Sequence, residues 1–243
     1  MDLPKIDLPI YELKLPSSGK TVRVRPFLVK EEKLLLMAVE SKDENNIIST
    51  TKQIINNCIL DSDVKVEKLP FFDVDYLFIA LRAKSIGEVV PVNFICKMLD
   101  AATGKQCGTM FPVDIDISKC VVKKDDSVVF DIPLNGRIGF RMKYPSYEVM
   151  KRFVEGEDTL TKKVKIIASS IEHIYEGEKV HSAKDYTPEQ LVEYVEGLTE
   201  EHFKKLEKFV DNFPSFVVAA EGVCPKCKHV HNLEYTDFTS FFR

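Results

Sequence analysis

The sequence predicts an α+β fold in which helical segments surround β-hairpins, and three observations lead there. Apolar residues recur with the helical period over residues 30–41, 45–60, 72–85 and 160–175. They alternate with a period of two on either side of two cysteine pairs. Each pair, Cys96 with Cys107 and Cys224 with Cys227, therefore sits at the tip of a predicted hairpin.

Residues 1–20 read as an extended arm, because Pro4, Pro9 and Pro16 interrupt any helix. TVRV at Thr21–Val24 alternates as a short strand. KEEKLLLMAVES (30–41) is rich in strong helix formers. In 45–60, Ile47, Ile48, Ile54, Ile55 and Cys58 make one apolar face. In 72–85 the stripe is Phe72, Tyr76, Ile79 and Ala80, and Gly87 follows where a helix ends. The period then changes. Residues 89–95 are strand-like up to Cys96, the polar stretch KMLDAATGKQ leads to Cys107-Gly108, and FPVDIDI (111–117) alternates as a half-buried strand.

Residues 119–136 read as loop with a short strand at 128–132, and 137–143 as a strand. A helical segment is expected over 145–153 and a helix over 160–175, with Val164, Ile167, Ile171 and Ile174 inward; His181 falls in a polar loop. Thr187-Pro188-Glu189-Gln190 combines an N-cap threonine, a first-turn proline and a capping-box glutamine. Thr199-Glu200-Glu201 opens another helix, with Phe203, Leu206, Val210 and Phe213 on its apolar face. Strands return at 216–220 and Val230–Tyr235 around the second cysteine pair. The expected organisation is an arm (1–20), a strand and helices (21–87), a first cysteine hairpin (88–118), a mainly helical insertion (119–213) and a second cysteine hairpin with an aromatic end (214–243).

The bulk numbers exclude several functions. A net charge of −4 over 243 residues, with no basic stripe, is not the footprint of a general nucleic-acid binder. The longest apolar runs fall far short of the roughly 20 residues a membrane helix needs. MDLPKIDLPIYELKLP lacks the basic start and apolar run of a secretory signal, so the expected compartment is a reducing cytosol. Six cysteines there argue for metal or free thiols over disulfides.

CPKC at 224–227 is the sharpest motif. Two thiolates three positions apart on a tight turn reach one tetrahedral ion, and a closed structural zinc site needs four such ligands. Cys96 and Cys107 supply the second pair, and Cys107-Gly108 resembles the second half of a zinc knuckle. The reading is a split zinc-ribbon-like module with Cys96, Cys107, Cys224 and Cys227 on one structural zinc. Ten residues between Cys96 and Cys107 are wider than the usual two to four, and Gly104 lets that loop fold back. His229 or His231 in place of one thiolate, and plain core or surface thiols, stay open as alternatives. Cys58 and Cys120 read as inert buried thiols. A thioredoxin-like reading fits poorly, because a strand and not a helix follows the motif.

No enzyme is expected. The sequence holds no G-x-S-x-G, no Walker loop, no G-x-G-x-x-G and no H-E-x-x-H. His173, His181 and His202 link to no nucleophile at the level of sequence, and Glu31-Glu32, Asp125-Asp126 and Glu200-Glu201 are explained by helix starts and solvated loops.

Taken together, RVRPFLVKEEKLLLMAVES, LRAKSIGE, PVNFIC, MKYPSYEV, VCPKCKH and FTSFFR, in that order, resemble the baseplate proteins of T4-like contractile-tailed bacteriophages, in particular the hub family, from residue 21 to residue 243. The resemblance implies a virion or assembly protein that helps build the central hub of the tail baseplate. It implies binding to other hub or tail proteins, with no small-molecule substrate, no membrane and no catalytic residues. It also implies assembly in the bacterial cytoplasm and residence in the virion tail, and the family's cysteines look matched at Cys96, Cys107, Cys224 and Cys227. Phe71-Phe72, Phe238 and Phe241-Phe242 are candidate partner contacts, though core packing is the commoner use of such residues. The competing reading is a zinc-ribbon adaptor for nucleic acid or the transcription machinery.

Overall fold

A computed structural model describes residues 6–99, 104–152, 158–236 and 241. The chain opens with β1 (Tyr11–Lys14) and β2 (Thr21–Val24), then α1 (Val29–Ser41), α2 (Glu44–Cys58) and α3 (Phe71–Ser85). β3 (Val89–Ile95), β4 (Met110–Asp116) and β5 (Val121–Lys123) follow, then β6 (Asp131–Pro133) and β7 (Ile138–Met142). Next come α4 (Tyr147–Arg152), α5 (Thr159–Ser170), β8 (Ile171–Glu176) and β9 (Lys179–Ser182). α6 (Pro188–Glu196), α7 (Glu200–Asp211), β10 (Ser215–Val223) and β11 (Val230–Tyr235) complete the order. The chain is thus mixed α and β, with every sheet antiparallel. It forms two compact units: one from residues before 67, 72–123 and 215 onward, the other from 67–71 and 124–214. Among the described residues no helix is long and apolar enough to cross a membrane.

In the first unit α3 is buried on nearly every side. Phe72, Val74, Leu77, Phe78, Ile79 and Leu81 have no exposed surface, while Tyr76 and Ala80 are half-buried. The single stripe expected for this helix is corrected: a helix apolar all round becomes a core element. Asp73, buried within it, accepts hydrogen bonds from the backbone N–H (2.8 Å) and hydroxyl of Ser17. The described part of the extended arm expected for 1–20 is not unpartnered. Residues 11–14 pair with β2 in a hairpin, burying Leu13 and Leu15 beside Val22 and Val24.

α1 starts without a side-chain cap at Leu28; instead buried Glu31 reaches back to the Leu28 N–H (2.9 Å) and takes the Arg25 guanidinium (3.0 Å). α2 is capped by Asp43, whose carboxylate accepts the N–H groups of Asn45 and Asn46. Phe241 is fully buried, and its carbonyl accepts the Arg82 Nε–H at 2.6 Å. Phe72 and Phe241 therefore serve the core and not a partner; Phe238 and Phe242 lie outside the described residues.

The second unit is a four-stranded sheet in the order β6-β7-β8-β9, with a core of Phe140, Met142, Ile167, Ile171, Leu206 and Phe209 among others. Here the expected helix over 160–175 is corrected: it ends at Ser170, and the chain continues as β8. The misleading signal has a physical cause. Arg141 pairs with His173 but Met142 pairs with Ile171, so Glu172 is an extra residue in a β-bulge. The bulge turns Ile171 and Ile174, three apart, toward the same core, which imitates the spacing of a helix. The polar loop expected around His181 is strand β9, paired to β8. The expected helix starts at Thr187 and Thr199 are present, Thr187 in a reciprocal capping box with Gln190.

The region 119–136, read as loop with one short strand at 128–132, contains two strands: β6 (Asp131–Pro133) overlaps the expected one, and β5 was not foreseen. β5 joins β10 through Val121↔Val217 and Lys123↔Ser215, partners more than ninety positions away in sequence. β6 pairs with β7.

Candidate metal centre

Two hairpins build the site. β3 and β4 pair from Val89↔Asp116 to Ile95↔Met110, and β10 and β11 pair from Val218↔Tyr235 to Val223↔Val230. Each hairpin ends in two cysteines. β10 lies against β4, and Gly222 makes this possible: a Cβ there would meet Val113 Cγ2 at 2.6 Å and Phe111 Cε2 at 3.3 Å. Cys96, Cys224, Phe111 and Val113 form one small apolar cluster, with Phe94, Ala220 and Leu233 packed on it.

The two tips fold in the same way. In the first, the Cys96 N–H donates to the Thr109 carbonyl (2.9 Å) and the Gly108 N–H to the Cys96 carbonyl (3.0 Å). In the second, the Cys224 N–H donates to the His229 carbonyl (3.0 Å) and the Lys228 N–H to the Cys224 carbonyl (3.0 Å). Gly108 and Lys228 occupy the same place after the second cysteine, and both are left-handed, at φ 62° and 61°. The wide spacing of Cys96 and Cys107 is explained by this match. The intervening loop pairs with itself, through a bridge of Leu99 with Gln106 and a Cys107 N–H bond to the Met98 carbonyl (2.7 Å). It leaves the turn and returns to it, so Cys107 arrives where a shorter knuckle would place it.

The four sulfurs converge. All lie within 4.8 Å of one another, with Cys96–Cys227 at 3.6 Å and Cys107–Cys224 at 3.8 Å. Disulfide sulfurs stand about 2.05 Å apart, so these are separate thiols. Four sulfurs at about 2.3 Å from one tetrahedral ion would stand about 3.8 Å apart. The observed distances match that figure. Cys96 and Cys224 are buried, Cys107 is half-buried and Cys227 is exposed.

The electrostatics separate the thiols. A hydrogen bond from the Thr109 hydroxyl (3.3 Å), with the Thr109 N–H, brings Cys107 down to about 6. Burial pushes Cys224 up, but the N–H groups of Cys227 and Lys226 outweigh it and hold the thiol below its ordinary value. Burial, reinforced by the neighbouring cysteines, pushes Cys96 up to about 12. Negative charge thus gathers first on Cys107 and Cys224, and Cys96 needs a cation beside it to ionise. By contrast Cys58 and Cys120 stand apart, and burial pushes them to about 12 and about 11.

The histidine alternatives divide. His229 is exposed, while His231 places Nε2 3.2 Å from Cys96 Sγ and rests on the Phe94 ring at 4.9 Å. The group of mutually close ligand atoms consists of the four sulfurs, with His231 touching one of them. Sequence reasoning missed Thr109 as a partner of the sulfurs and named His231 only as a substitute for one thiolate. Thr109 lies two positions after Cys107, a place that the pattern of the second knuckle marks. His231 is marked by its place just after CPKC, but its contact with Cys96 crosses the two hairpins. CPKC is followed by strand β11, which is not the context of a redox motif.

The family described as T4 bacteriophage base plate protein matches residues 8–243, nearly the whole chain, and the chain belongs to that family. Its role is that of a structural component of a phage baseplate, found in the virion among other tail and baseplate proteins. No curated protein and no solved structure matches the chain.

Proposed function

We propose that the chain is a non-catalytic joint of the baseplate hub, binding other hub subunits, in which Cys96, Cys107, Cys224 and Cys227 hold one structural zinc and make the two hairpins a split zinc ribbon. The observation that carries this is the convergence of four thiols from distant segments at separations suited to one tetrahedral ion. Four sulfur ligands leave no position for a reacting water, so the ion would act as a cross-link. The same donor set also suits iron. We further propose assembly in the host cytoplasm, where the thiols stay reduced until loaded.

Elemental mass spectrometry of the purified chain, with thiol titration, tests the metal. The expected result is about one zinc per chain with four protected thiols. Iron in its place would change the ion but keep the staple; no metal and six reactive thiols would remove it. Pull-down with purified hub subunits tests the joint, and failure to retain any of them would sink the hub assignment. A nucleic-acid adaptor on the same module draws support only from exposed Lys226, Lys228 and His229 at the knuckle.

A further inference from the structure

The second unit carries a cavity unrelated to the cysteines. It measures about 440 Å³ and opens between the β7–β8 face and α6. Its floor is apolar, from Ile138, Ile174 and Leu191. Two of its lining side chains are Tyr186 and Tyr194, 39% and 40% exposed, and Glu176 lies among them. Tyr186 is held in place by His181, whose Nδ1 lies 3.0 Å from its hydroxyl. Glu176 makes an ion pair of 2.7 Å with Arg137, whose side chain is 74% exposed. Glu176 also lies 3.4 Å from His181 Nε2; both neighbours are partly in solvent and hold the carboxylate weakly, so a further guanidinium can compete for it.

The segment that supplies both tyrosines is mostly acidic. Residues 172–201 contain nine acidic side chains and two basic ones, whereas the other 213 residues contain 29 acidic and 32 basic. Glu178 and Asp185 are exposed, while exposed Glu189, Glu193 and Glu196 line a neighbouring groove with Lys143, Lys165 and Lys184, so the acidic excess belongs to the segment as a whole. Such a field repels nucleic acid and acidic surfaces and raises the local concentration of cationic ones. Tyrosine faces attract a cation through the ring quadrupole. Arginine suits both features better than lysine, because its planar guanidinium stacks on rings and pairs with a carboxylate, while its methylene stem covers an apolar floor.

We propose that this cavity is the receptor for an arginine side chain on a basic segment of a partner protein, with the guanidinium at Glu176 between the tyrosines and the stem on Ile138, Ile174 and Leu191. The proposal concerns a site apart from the cysteine cluster and holds whether or not that cluster carries zinc.

The test uses the full chain with labelled isoleucine and leucine methyls, titrated in turn with capped Gly-Arg-Gly, Gly-Leu-Gly and Gly-Glu-Gly. The arginine peptide is expected to shift Ile138, Ile174 and Leu191 with an affinity on the order of 1 mM, the scale of one side chain. Glu176→Gln, a change in an exposed pair that leaves the core intact, is expected to weaken binding at least about fivefold, and moderate salt to weaken it further. Tyr194→Ala gives a second reading through loss of the ring. Equal binding of the leucine peptide would overturn the proposal in favour of a plain apolar slot. Absence of any shift with the arginine peptide at about 20 mM would overturn it outright.

Discussion

Replacing Cys224 with serine removes one of the two proposed ligands in the hairpin that closes the longest loop of the site. Cys107 and Cys224 are 117 positions apart. If the relation for loop-closing cross-links is applied to a metal bridge, closing a loop of that size lowers the entropy of the unfolded chain by the equivalent of about 5 kcal/mol. Metal binding in small zinc domains, about 10–16 kcal/mol, sets an upper bound. A loss of about 5 kcal/mol is comparable with the whole net stability of a typical domain. The assay is urea unfolding of wild type and Cys224→Ser, each with and without a zinc chelator, with metal content measured alongside. Wild type should lose stability to the chelator, and the variant should already be at the lower value and indifferent to it. Serine for a buried thiol in an apolar cluster carries its own cost, of about 1 kcal/mol. A variant that loses only that much and keeps its metal, beside a wild type that ignores the chelator, would refute the cross-link.

Three further outcomes are expected. Gly222→Ala places a Cβ 2.6 Å from Val113 Cγ2 and should cost about 1–3 kcal/mol of stability in denaturant unfolding; a neutral result would mean the hairpins do not meet through this face. Glu31→Gln leaves the Arg25 guanidinium without its buried carboxylate and should cost about 3–5 kcal/mol. Burial alone would raise Glu31, but Arg25 and the Leu28 N–H hold it below 4.5 in the folded chain. Its contribution is therefore complete above about pH 4.5 and fades as pH falls through the lower folded value, so a stability–pH profile of wild type should show this loss and that of Glu31→Gln should not. Phe241→Ala should cost about 3–5 kcal/mol in unfolding assays, because the ring is fully buried; a stable variant with weakened partner binding would return this aromatic to the surface.

Local rules explain why much of the chain could be read in advance. The helix starts at Thr187 and Thr199 depend on side chains within three positions of the backbone they cap, so sequence displays them. The hairpins around the cysteines are equally local, since alternating side chains on both arms state which face is buried. CPKC sets two thiols on one turn by its spacing alone, the donor pair a metal knuckle would need. Where the reading failed, the deciding interaction came from elsewhere in the chain. The end of α5 was hidden because the β8 bulge is defined only by its pairing with β7. β1 looked like an arm because three prolines flank a strand whose partner must be found across a turn.

The amino-acid order by itself determined the capped helices, the two hairpins, the four thiols with ligand chemistry and the family resemblance. All of these are written within a few residues or in the composition of a segment. Tertiary structure alone decided that Cys96 and Cys107 form a knuckle despite ten intervening residues, because the loop between them closes on itself. It also decided that His231 touches Cys96 across the hairpins, that β5 pairs with β10, and that Tyr186, Tyr194 and Glu176 line one cavity. Each of these joins groups that are far apart along the chain, and such a contact depends on the packing of everything between them.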